Sequence, residues 1–324
     1  VAVNTMSRGA PPRLSASPDL IAVASSAQQA LTAQIFNLLL APVSPRVTVD
    51  PTAGFGVPAL AATEFAVVSN STPGTQARRF LFNGNPAGSV MTFAGGRSLN
   101  VTGVNWSGST WGFGVEQTDN ELVFERFGAM PLGTTRLSTS GTWISTAWNG
   151  RVFGYVWRDG SGASAFCMFA AIDPLGTITT APTAIVTGGC QDPHISSRPG
   201  GFSVSYHNSG VRRPRWLRID DTAQTRLGPV DVGPAPNTVQ FWRPISASTP
   251  THTFVAYNRY LSNDIWLTVY DTTGTMVGSP TQLTDVYGSE IDIASAGDRV
   301  ALAWRQDISD GGMPDVFVRI LCSP

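Results

Sequence analysis

The sequence predicts an all-β chain made of seven similar units, each of four short antiparallel strands. Composition, a recurring strand pattern and the spacing of that pattern carry the prediction. The 324 residues include 33 glycines and 23 prolines, which punctuate many short strands and are poor material for long helices. A short apolar strand ending in an aromatic or small residue occurs as VALAW at 300–304, FVAY at 254–257, FSVSY at 202–206 and VFGYVW at 152–157, with weaker copies at 111–115, 65–68 and 20–24. Taking Ala24, Val68, Val115, Trp157, Tyr206, Tyr257 and Trp304 as anchors, the intervals are 44, 47, 42, 49, 51 and 47 residues, so seven copies fill the chain.

The stretch after each anchor recurs too. A polar loop leads to a second β-rich segment at 32–40, 77–83, 121–128, 165–173, 214–221, 264–271 and 315–321. Several of these end in a turn such as Asp173-Pro-Leu-Gly176 or Asp271-Thr-Thr-Gly274. Aspartate caps such a turn with its side chain, and glycine tolerates the positive φ. A further strand comes at 183–187 or 281–284, and another precedes the next anchor at 142–147, 194–197, 239–242 and 290–295. Four short strands in a unit of ~40–50 residues define a β-propeller blade. A parallel β-helix needs shorter coils, a helical solenoid needs 3.6-residue periodicity, and immunoglobulin-like domains need roughly twice the length.

The last copy stops after its third strand, while residues 1–6 (VAVNTM) read in step with 280–284. The expectation is a single domain over 1–324: a seven-bladed propeller closed by the N-terminal strand pairing with the last blade. That closure removes two exposed sheet edges.

Charge and cysteine content narrow the partners. Twenty-one basic and 22 acidic residues give a formal charge of −1, and every cation is an arginine. A near-neutral chain lacks the positive field for general nucleic-acid binding or a polybasic membrane face, and without lysine there is no Schiff-base chemistry. No apolar run approaches the ~18 residues of a membrane span. The start at Val1 without methionine fits removal of a signal peptide, so a secreted, periplasmic or cell-surface location is expected. Of the three cysteines, Cys167 and Cys190 are brought within reach by a strand-turn-strand path centred near residue 178, leaving Cys322 over. A bridge and free thiols are both open readings at that spacing.

The blade pattern, an apolar strand ending in Trp or Tyr, a polar loop, an apolar strand and D-x-x-G, resembles that of bacterial secreted β-propeller repeat proteins. The resemblance spans the chain but rests on a folding motif. It implies a fold shared by lectins, adhesins, scaffolds and hydrolases, and specifies no single function.

The recurring anchors are assigned to packing between blades, whereas the less repetitive Trp106, Trp148, Trp216, Trp242 and Tyr260 are candidate ligand platforms. Arg212, Arg213, Arg215 and Arg218, interleaved with Trp216, form the densest basic stretch; they suit an anionic glycan, a phosphate or a protein partner, but a solvated loop whose arginine stems cover apolar surface accounts for them more simply. Asp307, Asp310 and Asp315 surround a Gly-Gly turn; calcium is a candidate there, but the spacing departs from the EF-hand loop and stabilising the turn accounts for them. No cofactor is expected. His194 is expected on the innermost strand of blade 5 with Asp192 near it, and Glu290 and Asp292 alternate on one strand, so both should face the channel. The leading expectation is an exported, non-catalytic binding or scaffold propeller that recognises a glycan or docks in a surface protein assembly. The alternative is a carbohydrate-active hydrolase using Glu290, Asp292, Asp192 and His194.

Overall fold

Seven four-stranded antiparallel sheets surround one axis in the computed structural model, which describes residues 2–4, 12–27, 30–71, 74–93, 100–233, 241–259, 264–284, 288–306 and 315–324. Blades 1 to 6 are meanders whose strands run from the axis outward in chain order. The innermost strands of blades 1 to 7 are Arg13–Ala16, Gly56–Leu60, Asn100–Trp106, Thr142–Trp148, Cys190–Arg198, Phe241–Ser248 and Gly288–Ala296. The inner strand of blade 6 continues well past the 239–242 stretch expected from sequence, of which 239 and 240 lie outside the described residues. The ring closes as anticipated: Ala2–Asn4 pairs antiparallel with Asp315–Cys322, Ala2 opposite Phe317 and Asn4 opposite Val316.

The second strand of each blade explains why the repeat was visible. Blades pack face to face, so this strand is covered on both sides; Trp111–Glu116 and Gly201–Asn208 are buried at every residue. Such strands read as continuous apolar runs instead of alternating ones. The anchors Trp157, Tyr206, Tyr257 and Trp304 are all buried. Each apolar cluster straddles two neighbouring blades; one joins Leu14 and Ile21 of blade 1 to Ala301, Val316 and Val318 of blade 7. Tight approach is built in: a Cβ on Gly154 would meet the Phe202 ring of blade 5 at 2.6 Å.

In blades 4, 5 and 6 the turn between third and fourth strands is capped by an aspartate. Asp173 Oδ1 accepts the N–H groups of Leu175 at 2.9 Å and Thr177 at 2.8 Å, and Gly176 takes φ +91°. An arginine of the third strand then grips the corresponding turn of the next blade. Arg79 donates to Gly128 O at 2.9 Å, Arg126 to Pro174 O at 3.2 Å, and Arg218 to Asp271 O at 2.7 Å. Blades 4 and 5 are also joined covalently: Cys167, in Phe166–Ile172, is bonded to Cys190, the first residue of the next inner strand, with Cα atoms 5.3 Å apart. Cys322 is free and exposed. Among the described residues no helix is long and apolar enough to cross a membrane.

Candidate functional site

The inner strands leave a central cavity of about 490 Å³ whose wall includes Arg13, Trp143, Asp192, His194, Arg243 and Glu290. One end is shaped by a β-bulge repeated in four consecutive blades. In blade 4, Thr142 pairs with Arg158 and Ser145 with Val156, so Trp143 and Ile144 together face the single residue Trp157. Asp192 and Pro193 face Tyr206, Arg243 and Pro244 face Tyr257, and Glu290 and Ile291 face Trp304 in the same manner. The anchor aromatic of each blade therefore sits opposite a bulge.

At each bulge the first residue takes a left-handed backbone: Trp143 φ 60°, Asp192 47°, Arg243 46° and Glu290 58°. This costs an L-residue ~1–2 kcal/mol, and such conformations persist where surrounding structure enforces them. The preceding blade supplies that enforcement. Glu116 Oε2 accepts the Trp143 N–H at 2.9 Å, and Ser205 Oγ donates to Pro244 O at 2.9 Å. Blade 3 bulges with Gly103 instead, at φ +65°, where a Cβ would meet Thr146 O at 2.4 Å. Blades 4 to 7 thus display four side chains around an arc of the mouth, and blade 3 displays none.

These side chains interact across blades. The Arg243 guanidinium lies over the Trp143 indole with Cζ 5.5 Å from the ring centroid. Trp143 keeps 37% of its surface exposed, unusual for a tryptophan on an inner strand. Burial pushes the Asp192 carboxyl up, against the pull of Arg243 and Arg158. Glu290 pairs with Arg305 at 3.4 Å.

Below the bulges the wall is a set of backbone clamps. An inner strand has one hydrogen-bonding edge inside its own sheet and the other facing the axis, where N–H groups need acceptors. Ser145 Oγ accepts the Ile195 N–H of the next blade at 3.2 Å, His194 Nδ1 that of Ser246 at 3.2 Å, and Asp292 Oδ2 that of Leu14 at 2.7 Å. Blade 6 has Ile245 at this position, which offers no acceptor; the Ile293 N–H goes instead to Asp292 Oδ1 at 3.0 Å. Accepting at Nδ1 makes His194 a neutral ring with its proton on Nε2. Burial, with Arg13 as a second cause, lowers its pKa to about 4. Burial raises that of Asp292, opposed by Arg13 and the two N–H donors.

Several sequence expectations change as a result. His194 lines the channel as expected, but its Nδ1 serves a backbone donor and is not oriented by Asp192. Glu290 and Asp292 both line the cavity as expected, but a bulge at 290–291 interrupts the regular alternation between them. Trp216 is no exposed platform: it is fully buried, with Tyr270 at 5.0 Å and Arg218 over its ring at 5.2 Å. The four arginines do not make one patch. Arg213 and Arg215 share Asp231 at 3.2 and 2.6 Å, Arg218 is buried in the latch to blade 6, and only Arg212 stands exposed in a turn.

Trp106 and Trp148 are half-buried at the far ends of their inner strands, tilted against Trp111 and Phe153 at 4.7 Å each. They lie at the end of the channel opposite the bulges. The side chain of Trp242 and the residues Tyr260, Asp307 and Asp310 lie outside the described residues; Asp315 opens the last third strand, opposite Gln306. Among the described residues no group of three or more His, Cys, Asp or Glu is placed to hold a metal.

Trp143, Arg243 and Arg13 were not singled out from the sequence. A usable signal existed, since Trp143 to Trp157, Asp192 to Tyr206, Arg243 to Tyr257 and Glu290 to Trp304 are each fourteen residues apart. Pro193 and Pro244 mark two of the bulges, because proline inside a strand sits where no ladder donor is needed.

No family model matches this chain, and no curated protein matches it in sequence. Among solved structures it is similar to hydrazine synthase of Kuenenia stuttgartiensis, with TM-score 0.70 and 10% identity over 100% of this chain and 97% of that one. It is similar to the BP39L lectin of Burkholderia pseudomallei, with TM-score 0.68 and 11% identity over 98% and 96%. The WD40 domain of Toxoplasma gondii coronin gives TM-score 0.60 and 11% identity over 100% and 86%. At these identities the likeness shows the fold alone: this chain is a seven-bladed β-propeller.

Proposed function

We propose that this protein is an exported, non-catalytic recognition propeller whose ligand is a glycan, held at the bulged end of the channel. The observation that carries the reading is the arc of four left-handed residues, Trp143, Asp192, Arg243 and Glu290, which presents an open indole beside charged groups. Strained residues lining a concavity cluster at binding sites. The cavity has the ~300–1,000 Å³ of small-ligand sites. An indole face suits the C–H face of a pyranose, and flanking carboxylates accept its hydroxyls. Export is supported by the Cys167–Cys190 bond, since disulfides persist in oxidising compartments. The non-catalytic reading is supported by His194 and Asp292 both serving as interblade clamps.

A glycan array probed with the native protein and with Trp143→Ala tests this. Binding to a defined set of glycans that the variant loses by tenfold or more is the expected result. Silence across the array, with a protein captured on the same face by crosslinking, would replace the glycan with a protein partner.

A further inference from the structure

The channel wall carries two arginines whose guanidinium groups have no hydrogen-bond acceptor among the described residues. Arg243 lies over Trp143, and Arg13 lies over Phe55 with Cζ 5.0 Å from the ring centroid. Both line the same cavity. Arg79 is occupied by Glu64 and Gly128 O, Arg226 by Asp220, and Arg305 by Glu290, whereas Arg198, Arg212 and Arg319, which also lack an acceptor among the described residues, do not line this cavity. A guanidinium stacked on a ring engages only its face, and its five N–H donors stay available in the plane. Arg243 is exposed and Arg13 half-buried, so both guanidinium groups are open to an anionic ligand entering the channel.

Resting on the glycan reading above, we propose that the recognised unit is an acidic sugar of the uronate type, whose carboxylate is taken by Arg243 and Arg13. Three features of the wall favour this chemistry over other anions. The guanidinium fork matches a carboxylate with two parallel hydrogen bonds. Asp192, Glu290 and Asp292 share the wall, so a doubly charged phosphate monoester meets more repulsion than a single carboxylate does. The Asp192 carboxylate also has no hydrogen bond among the described residues, and it offers acceptors to ring hydroxyls while Trp143 offers a platform to the ring face. A neutral sugar satisfies the hydroxyl acceptors but brings no carboxylate for the two guanidinium forks to match.

The experiment is calorimetric titration of the native protein with oligogalacturonate, a hyaluronan octasaccharide, free glucuronate, and the same oligosaccharides after reduction of their carboxyl groups to alcohols. At least one acidic oligosaccharide is expected to bind, with the reduced form weaker by tenfold or more. Arg243→Gln should reproduce that loss in a protein with unchanged thermal unfolding, and Arg243→Lys should fall between, keeping charge without the fork. Equal affinity for acidic and reduced forms, or binding confined to neutral glycans, would overturn the acidic-sugar assignment while leaving the glycan reading intact. Free glucuronate binding as tightly as the oligosaccharides would confine recognition to the single uronate unit and support the assignment. Acid-selective binding that Arg243→Gln and Arg13→Gln leave unchanged would move the carboxylate away from these residues and overturn the assignment as well.

Discussion

The Nδ1 of His194 accepts the backbone N–H of Ser246 at 3.2 Å and so joins blade 5 to blade 6 on the channel wall. The bond requires the neutral ring, and the folded pKa is lowered to about 4 from an unfolded value of ~6.5. The unfolded chain therefore binds more protons between these values. The stabilisation from neutral His194 is complete above pH ~6.5 and is lost as pH falls toward 4. His194→Gln keeps an acceptor but cannot titrate. Thermal unfolding from pH 4 to 8 should show the native midpoint dropping relative to the variant across that window; parallel curves would contradict the clamp.

Glu125 titrates with the opposite sign. It is buried on the third strand of blade 3, with its Oε2 accepting Thr134 Oγ at 2.8 Å, and burial raises its pKa to about 7. Its folded value lies above the unfolded one. Its contribution is therefore fully present below pH ~4.5 and is lost as pH rises through 7. Glu125→Gln should stabilise the protein at pH 8 by on the order of 1–3 kcal/mol and change little at pH 4.5, as read by urea unfolding at the two pH values. An equal effect at both would contradict the assignment.

The Cys167–Cys190 bond closes a loop of 23 residues across the junction of blades 4 and 5. Loop closure of that size constrains the unfolded chain by ~3 kcal/mol. Reduction, or the double replacement Cys167→Ser with Cys190→Ser, should lower the unfolding midpoint by that order, and reductant should leave the double variant unaffected. A double variant as stable as the native protein would contradict this.

Deleting residues 1–6 removes the strand that covers Asp315–Cys322. The exposed edge is then a template for other chains. The truncated protein should unfold at a lower midpoint and associate with rising concentration in sedimentation velocity. A monomer of unchanged stability would show that closure does not depend on the Ala2–Asn4 pairing.

The repeat, the blade count and the closure were legible because they rest on local chemistry: doubly covered second strands read as apolar runs ending in Trp157 or Tyr206, and Asp173 and Gly176 mark their turn by residue type. The mouth was not. Nothing in the side chains of Trp143, Arg243 or Glu290 asks for positive φ; the bulge arises from a count mismatch with the neighbouring strand and from anchors such as Glu116 in the preceding blade. Trp216 misled for the converse reason: a tryptophan among arginines looks exposed, yet alternation along Arg213–Ile219 turns its ring inward.

Hydrogen–deuterium exchange with and without a bound glycan tests the central claim most directly. Ligand protection is expected at Thr142–Trp148, Cys190–Arg198 and Gly288–Ala296, concentrated at the bulge residues Trp143, Asp192 and Glu290. Protection confined to the opposite end of the channel around Trp106, or to the outer strands, would contradict the assignment of the bulged mouth as the binding site.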